Sequence, residues 1–595
     1  MGDARHGANL VGVTASRSAR FTGNFPQDYT VASEARHSAG CPDAERSDEM
    51  RKWIWLIGGA TVVTSIGLTA APTATAAGGP PHACVSGHVD RCFDSLREAV
   101  ARAVNGDVVT LTEGTFAGGI TINKSITVVG AGEQETVIQG GGPVLTVAAS
   151  SQYRPVVELA DLTIRGGTNT GTGLGGKATG YNAFGGGILV PFSNGNRGAG
   201  ASLTLRRVTV AGNRAIPSTT LPSPSGAQCP EGDCPYAGAF GGGIATAGRL
   251  TLVDATVADN LAGGSASDAN GGGIFSAIGP VDITRSRIEG NTAAPAPNTI
   301  GRWAEGGGIT IGDSSRPTTI TDSHIAGNTA RLVTAWPAGV NMAAQSGGVF
   351  MEGNTQLTMT GSVLSANRVV AHAPAGEPLV IDAALHYQYG GEGLLLEDTD
   401  ITNNTLFARV GTTENVAPVG GIVEVDGHAV MRGVTISGNS ATLHTAHGTA
   451  ALSGALFLCG CGNGDGGVTD LTDVTVTDNI STASADHGSV RVWGGGIFAA
   501  DGTHLSLRAS HVADNRSVAT ALDGSGNAEV RGGGLWAGPL WGEDPSVDLT
   551  GSIVTGNSGS VSPGGAVLGG GVYAEVPVTG TDGVTGNLPD DLHLP

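Results

Sequence analysis

The sequence predicts an all-β fold, a single-stranded right-handed parallel β-helix of about a dozen coils with an N-terminal capping helix. Three observations predict it. Glycine makes up 99 of 595 residues, while charged residues are 14% and aromatic residues 4%. With Thr, Val and Ile recurring beside glycine, that composition suits short strands joined by tight turns. A phrase of the form "apolar, x, Gly or Asp, Asn" returns along the chain. Between most of its copies stands a glycine run followed by Ile, Leu or Val.

The N-terminal region reads as export. From Met50, Arg51 and Lys52 form a positive segment, Trp53 to Ala70 an apolar one, and Ala74, Ala76 and Ala77 offer small-residue cleavage positions, the pattern of a secretory signal peptide. The expected organisation is an upstream artefact or disordered tail over 1–49, a signal over 50–77, and a β-helix domain over 78–595. The alternative is a genuine tail before an uncleaved signal anchor, since an apolar run of roughly 18 residues only just spans a bilayer. Cleavage implies a secreted, extracellular protein, free or associated with the cell wall, without a stable membrane domain. Cys84 with Cys92, Cys229 with Cys234 and Cys459 with Cys461 form three local pairs, expected as disulfides in an exported chain. Zinc is the rival reading, and Cys459 and Cys461, one residue apart, could instead be free thiols.

The first body element is an amphipathic helix expected over 93–104, with Asp94 or Ser95 as N-cap and Asn105-Gly106 as its stop. It would cover the open end of the first coil. Repeats follow over about 106–590. The recurring phrase ends at Asn213, Asn260, Asn291, Asn328, Asn367, Asn404, Asn439, Asn479, Asn515, Asn557 and Asn587, at spacings of about 30 to 47 residues. Leu250 to Asn260 alternates apolar and polar residues, as a strand with one buried face does. The residue before each Asn is mostly of a type that tolerates positive φ at a corner. Asn at the same point of every coil can form a ladder of side-chain amides. The glycine runs (GGGI at Gly185, Gly241, Gly271 and Gly306, GGGIF at Gly494, GGGLW at Gly532, GGGVY at Gly569, with weaker copies at Gly347 and Gly420) let the backbone bend and pack closely. A β-propeller has a similar period, but its blades need antiparallel hairpin signals that these units lack.

On these residues, the stretch from Asp94 to Gly142 resembles the cap and first coils of pectin-lyase-like β-helix proteins. The glycine-run and Asn phrases resemble polymorphic outer-membrane protein repeats. The resemblance covers about residues 84 to 590 and implies the fold far more strongly than any activity. Those outer-membrane proteins end in a membrane barrel. Here the last repeat ends at Asn587, eight residues before Pro595, so autotransport is not expected.

The net charge of −21 argues against nucleic acid as a partner. The expected partner is a polysaccharide or cell-surface ligand, met by a monomer. The first functional reading is a non-catalytic glycan- or surface-binding protein. The second is a polysaccharide lyase or glycoside hydrolase, for which clustered carboxylates are the requirement. The best local cluster is Glu392, Glu397, Asp398 and Asp400, near His386, Tyr387 and Tyr389, with a solvated corner as the plainer reading. Aromatic residues precede the glycine runs at similar offsets: Tyr181, Phe184, Tyr236, Phe240, Trp303, Tyr387, Tyr389 and Trp493. Vertical alignment would make them a sugar-stacking stripe; alternatively they seal insertion loops onto the core. No cofactor is expected. NGDGG from Asn463 matches one copy of a calcium-binding glycine repeat but lacks tandem partners.

Overall fold

A computed structural model of the protein describes residues 80–86, 91–172, 182–193, 198–218, 237–296, 303–312, 316–334, 342–352, 356–375, 379–413, 420–460, 467–524, 528–540 and 542–595. Residues 50–77, expected as a signal, and Tyr181, Tyr236, Cys229, Cys234, Cys461 and Asn463 lie outside them. Strand makes up 58% and helix 2%, and the chain is an all-β parallel β-helix.

One coil shows the plan. Ile244–Thr246, Leu250–Val253 and Thr256–Ala258 are three body strands. Ile244, Leu250, Leu252 and Val257 point inward and join one continuous apolar core. This follows from the alternation in the sequence, because successive side chains of a strand face opposite ways. Each strand pairs in parallel and in register with the coils on either side. Leu250 stands between Leu203 and Val281, and Val257 between Val210 and Ile288. Burying aliphatic side chains at about 25 cal/mol per Å² is what holds the stack together, since no coil can cover its own apolar face.

The corners between body strands need the left-handed conformation. Asp254 has φ of 53° and Asp259 of 54°. On other coils, Gly212, Gly290, Gly327, Gly438 and Gly556 take the place of Asp259 with similar angles. Gly and Asp recur there because they enter this region at least cost. Side chains at the first corner also pair across coils: Arg207 is bidentate to Asp161, and Arg285 to Asp254.

After the corner, the Asn side chain turns inward. Asn260 donates its backbone N–H and its Nδ2 to Oδ1 of Asn291 at 3.0 and 2.9 Å, and Nδ2 also reaches the Val210 carbonyl at 2.9 Å. The same set repeats from Asn213 to Asn587. Both ends are closed. Gly167 N–H donates to Asn213 Oδ1, and Asp591 Oδ1 accepts from Asn587 N–H and Nδ2. A second buried row was not anticipated: Ser286, Ser323 and Ser362, and later Ser510 and Ser552, each accept a backbone N–H from the coil before.

The chain then leaves the body and comes back. Leu261–Gly264 runs outward and Asp268–Asn270 returns. Their counterparts stack into two further parallel sheets, forming an arm along the rod. The two sheets face each other through alanine, with Ala183, Ala239, Ala215, Ala262 and Ala266 between them. Chain length varies between outgoing and returning strands, as from Ala215 to Gly238 against Gly264 to Asp268, and also between first and second body strands, as from Val190 to Ser202 against Thr246 to Leu250.

The glycine run is where the returning strand passes the outgoing one. A Cβ on Gly242 would lie 2.4 Å from the Leu261 backbone, and one on Gly243 2.9 Å from Asn260 Nδ2. The two repeat phrases, far apart in sequence, are thus neighbours at one neck, and glycine suits the close approach of these coils, while Ala383, Ala384 and Ile422 take the same places in other coils.

The N-terminal helix is Leu96–Arg102, with Ser95 as N-cap accepting Glu98 N–H, and with Leu96, Ala99 and Val100 buried. It is shorter than expected over 93–104 because Cys92–Phe93 is a strand paired with Ala83–Val85. The Cys84–Cys92 disulfide joins those strands. Cys459 is also disulfide-bonded. Among the described residues, no helix is long and apolar enough to cross a membrane.

Candidate functional site

In the central coils, from Ile188–Val190 to Leu535–Gly538, the first body strand is buried on both faces. Its inner face joins the core, and its outer face lies in the angle between body and arm. Aromatic side chains fill that angle toward each end. Phe184 stacks on Phe240 at 4.4 Å between centroids, and Phe240 meets Phe275 at 5.0 Å. Further along, Phe457, Phe498, Trp536 and Trp493 form a second stack, with Arg531 placed 5.6 Å from the Trp493 ring.

This placement corrects the sugar-stripe expectation. Phe184, Phe240, Tyr387 and Trp493 are buried, because the arm closes over the outer face of the strand, and Tyr387 points into the main core. Phe184, Phe240 and Trp493 seal the arm to the body, and none of the four presents a face to a sugar. Trp303 is half-buried in a returning arm strand. Tyr181 and Tyr236 lie outside the described residues, as does the Tyr389 side chain.

Of the four carboxylates expected as a catalytic cluster, Glu397, Asp398 and Asp400 do not converge. Glu397 is tied to Arg432 at 2.9 Å. Asp398 occupies a left-handed corner with φ of 48°, and Asp400 is exposed at the next strand. The side chain of Glu392 lies outside the described residues. Strand alternation and the corner turn these groups to different directions.

Between the two aromatic stacks the column becomes polar. Phe350, His386, Glu424 and Phe457 occupy the same position on four successive coils. His386 lies 5.2 Å from the Phe350 ring, and its Nδ1 is paired with Asp382 Oδ2 at 2.5 Å. Asp382, His386 and Glu424 each offer a donor atom within 4.8 Å of the others, and no other such group of three occurs among the described residues. Their exposures are 0%, 1% and 9%. Asp382 Oδ1, His386 Nε2 and Glu424 Oε2 are buried without a hydrogen-bond partner.

The local electrostatics follow from burial and crowding. Burial pushes the Asp382 carboxyl well above the usual range. Asp426 adds to this, while a hydrogen bond with Glu424 opposes it. Burial likewise raises Glu424, with Asp382 reinforcing it and His386 working against it. Asp426, two residues along the same face, is raised to about 6 by burial, with His386 opposing. Desolvation disfavours each charged form, and like charges add to the effect. Such a group can store and exchange protons near neutral pH, or hold a cation by its donor atoms.

The site was legible only as a departure from the repeat. Gly271 to Phe275 reads GGGIF and Ser346 to Phe350 reads SGGVF, whereas Asp382 to His386 reads DAALH and Gly420 to Glu424 reads GGIVE. Asp382 keeps the left-handed corner that glycine takes elsewhere, with φ of 56° against 62° at Gly271. Aligning the coils before searching for acidic residues would have exposed it. No family model matches the chain, and no curated protein matches it either.

Proposed function

We propose that this chain is an exported β-helix that binds a glycan or cell-surface polymer without transforming it. The observation that carries this reading is a hydroxyl row on the outside of the third body strand. Ser365, Thr402, Ser437 and Thr477 stand in register on successive coils and are half-exposed. Thr435 and Thr475 stand beside them. Coils about 4.8 Å apart present such groups as a periodic row, edged by Asp400 and Asp478, suited to many weak hydrogen bonds along a polymer. Export and the likeness to pectin-lyase-like and polymorphic outer-membrane repeats belong to the same reading, resting on the sequence signals. The test is binding to a polysaccharide panel by wild type and T402V/S437A/T477V. At least a tenfold loss of affinity with an unchanged melting temperature is expected. Equal binding by the variant, or no binding by wild type, would reject the proposal.

A second reading, polysaccharide lyase or glycoside hydrolase, is favoured by the meeting of Asp382, Glu424 and Asp426 with His386 in one buried group. Acid–base cleavage of glycosides uses paired carboxyls with separated proton affinities. An assay for reducing ends and unsaturated products, with and without calcium, separates the two readings. Turnover lost in E424Q would favour the enzyme.

A further inference from the structure

We propose that Asp382, His386 and Glu424 bind one divalent metal ion of the zinc or manganese class, clamping two successive coils at the root of the arm. Geometry carries the inference. The three residues come from two neighbouring coils, with Glu424 directly beside His386 in the parallel pairing. One donor atom from each lies within 4.8 Å of the others, close to the span of two metal–ligand bonds of about 2.0–2.2 Å each. All three side chains are at least nine-tenths buried. Each also has a polar atom without a hydrogen-bond partner, a costly arrangement in an apolar wall unless something polar is held there.

The neighbours make the wall specific. Phe350 precedes His386 in the column and Phe457 follows Glu424. In the surrounding coils the column is mostly aromatic: Phe275, Phe350, Phe498 and Trp536 occupy the His386 position and are buried, Thr310 between Phe275 and Phe350 being a buried hydroxyl with no charge. The corner position of Asp382 is glycine at Gly271, Gly306 and Gly494. A carboxyl at the corner, an imidazole four residues on, and a second carboxyl one coil away are three coordinated departures from the repeat. One nitrogen with two carboxylate oxygens suits borderline ions. Calcium takes six or more oxygens and has little use for imidazole.

The proposal is independent of the glycan reading and survives its failure. The whole exported chain is stripped with chelator, dialysed against Zn²⁺, Mn²⁺ or Ca²⁺ in turn, desalted, and analysed for bound metal. The informative variant is H386F. It restores the residue that neighbouring coils carry and so is expected to fold. Wild type should retain one more equivalent of Zn²⁺ or Mn²⁺ than H386F, and its melting temperature should rise with that ion while H386F stays unmoved. Comparison with H386F discounts zinc held by the stacked, exposed His447 and His487 of the arm. A Co²⁺-loaded wild type should show visible ligand-field absorption that H386F and E424Q reduce. Equal metal retention by wild type and H386F would overturn the site. So would a response to Ca²⁺ alone that H386F leaves intact.

Discussion

Glu305 ends a returning arm strand, and its carboxyl lies in the body–arm angle. Burial, then Glu352 and Asp268, hold it well above the ordinary glutamate value of 4.5. Folding therefore strengthens its hold on a proton. The stability this group contributes is present in full below the unfolded glutamate value and lost as pH rises through the folded one. The neutral isostere E305Q should match wild type in acid and exceed it at neutral pH by about 1 kcal/mol or more. Thermal melts across pH check this; parallel profiles for the two proteins would refute it. At Asn328 the effect has the opposite sign. Its side chain accepts from Asn291 N–H and Nδ2 and donates to Ile288 O and Asn367 Oδ1. N328A leaves several of these buried groups unpaired, and a loss of about 3 kcal/mol or more is expected. The role of these asparagines was readable because one residue type recurs at one position under one local pattern. Asp382, His386 and Glu424 were not grouped by the same reading. Their meeting depends on which coil lies beside which, and the search for carboxylates favoured residues close in sequence, namely Glu397, Asp398 and Asp400.

At the scale of elements, the body strands follow from alternation and the corners from Gly and Asp. The arm does not. Its outgoing and returning strands are joined by segments of unequal length, and its alanine-lined interior carries no strong hydrophobic period. The helix was foreseen but drawn too long, because nothing local distinguishes Cys92 and Phe93 as strand rather than first turn. Their state is fixed by pairing with Ala83–Val85. The last coil offers a sharper test. Asp591 takes up the two hydrogen bonds that a following Asn would accept. D591A should increase backbone amide exchange across Val584–Thr585 and Leu592–His593 while leaving the central coils protected. D591N should restore most of that protection. Uniform exchange across the rod in D591A would argue against a local cap.

At the scale of the molecule, each coil touches chiefly the ones before and after it. Stability is then nearly a sum of coil and neighbour terms, and one weak coil can divide the rod. N328A, at the fourth of the eleven ladder asparagines, should turn a single denaturant transition into two, with the shorter N-terminal and longer C-terminal parts unfolding at different midpoints. In a background with Trp53, Trp55, Trp303 and Trp336 replaced by Phe, tryptophan fluorescence reports the C-terminal part, where Trp493 and Trp536 stack. Far-ultraviolet circular dichroism reports the whole. Coincident transitions by both probes would show that the rod unfolds as one unit.

The asparagine ladder also has a direction. Every ladder amide points its oxygen toward the N-terminal coil, from which it accepts, and donates from Nδ2 both to the next Asn and to a carbonyl of the coil before. The small moments of these amides therefore add along the axis instead of cancelling, and each polarises the next. The rod carries a positive pole where the last donors emerge. The carboxylate of Asp591 sits at that pole, as acidic residues do at the N-terminus of an α-helix. Its negative charge counters the summed carbonyl moments of the ladder that begins at Asn213.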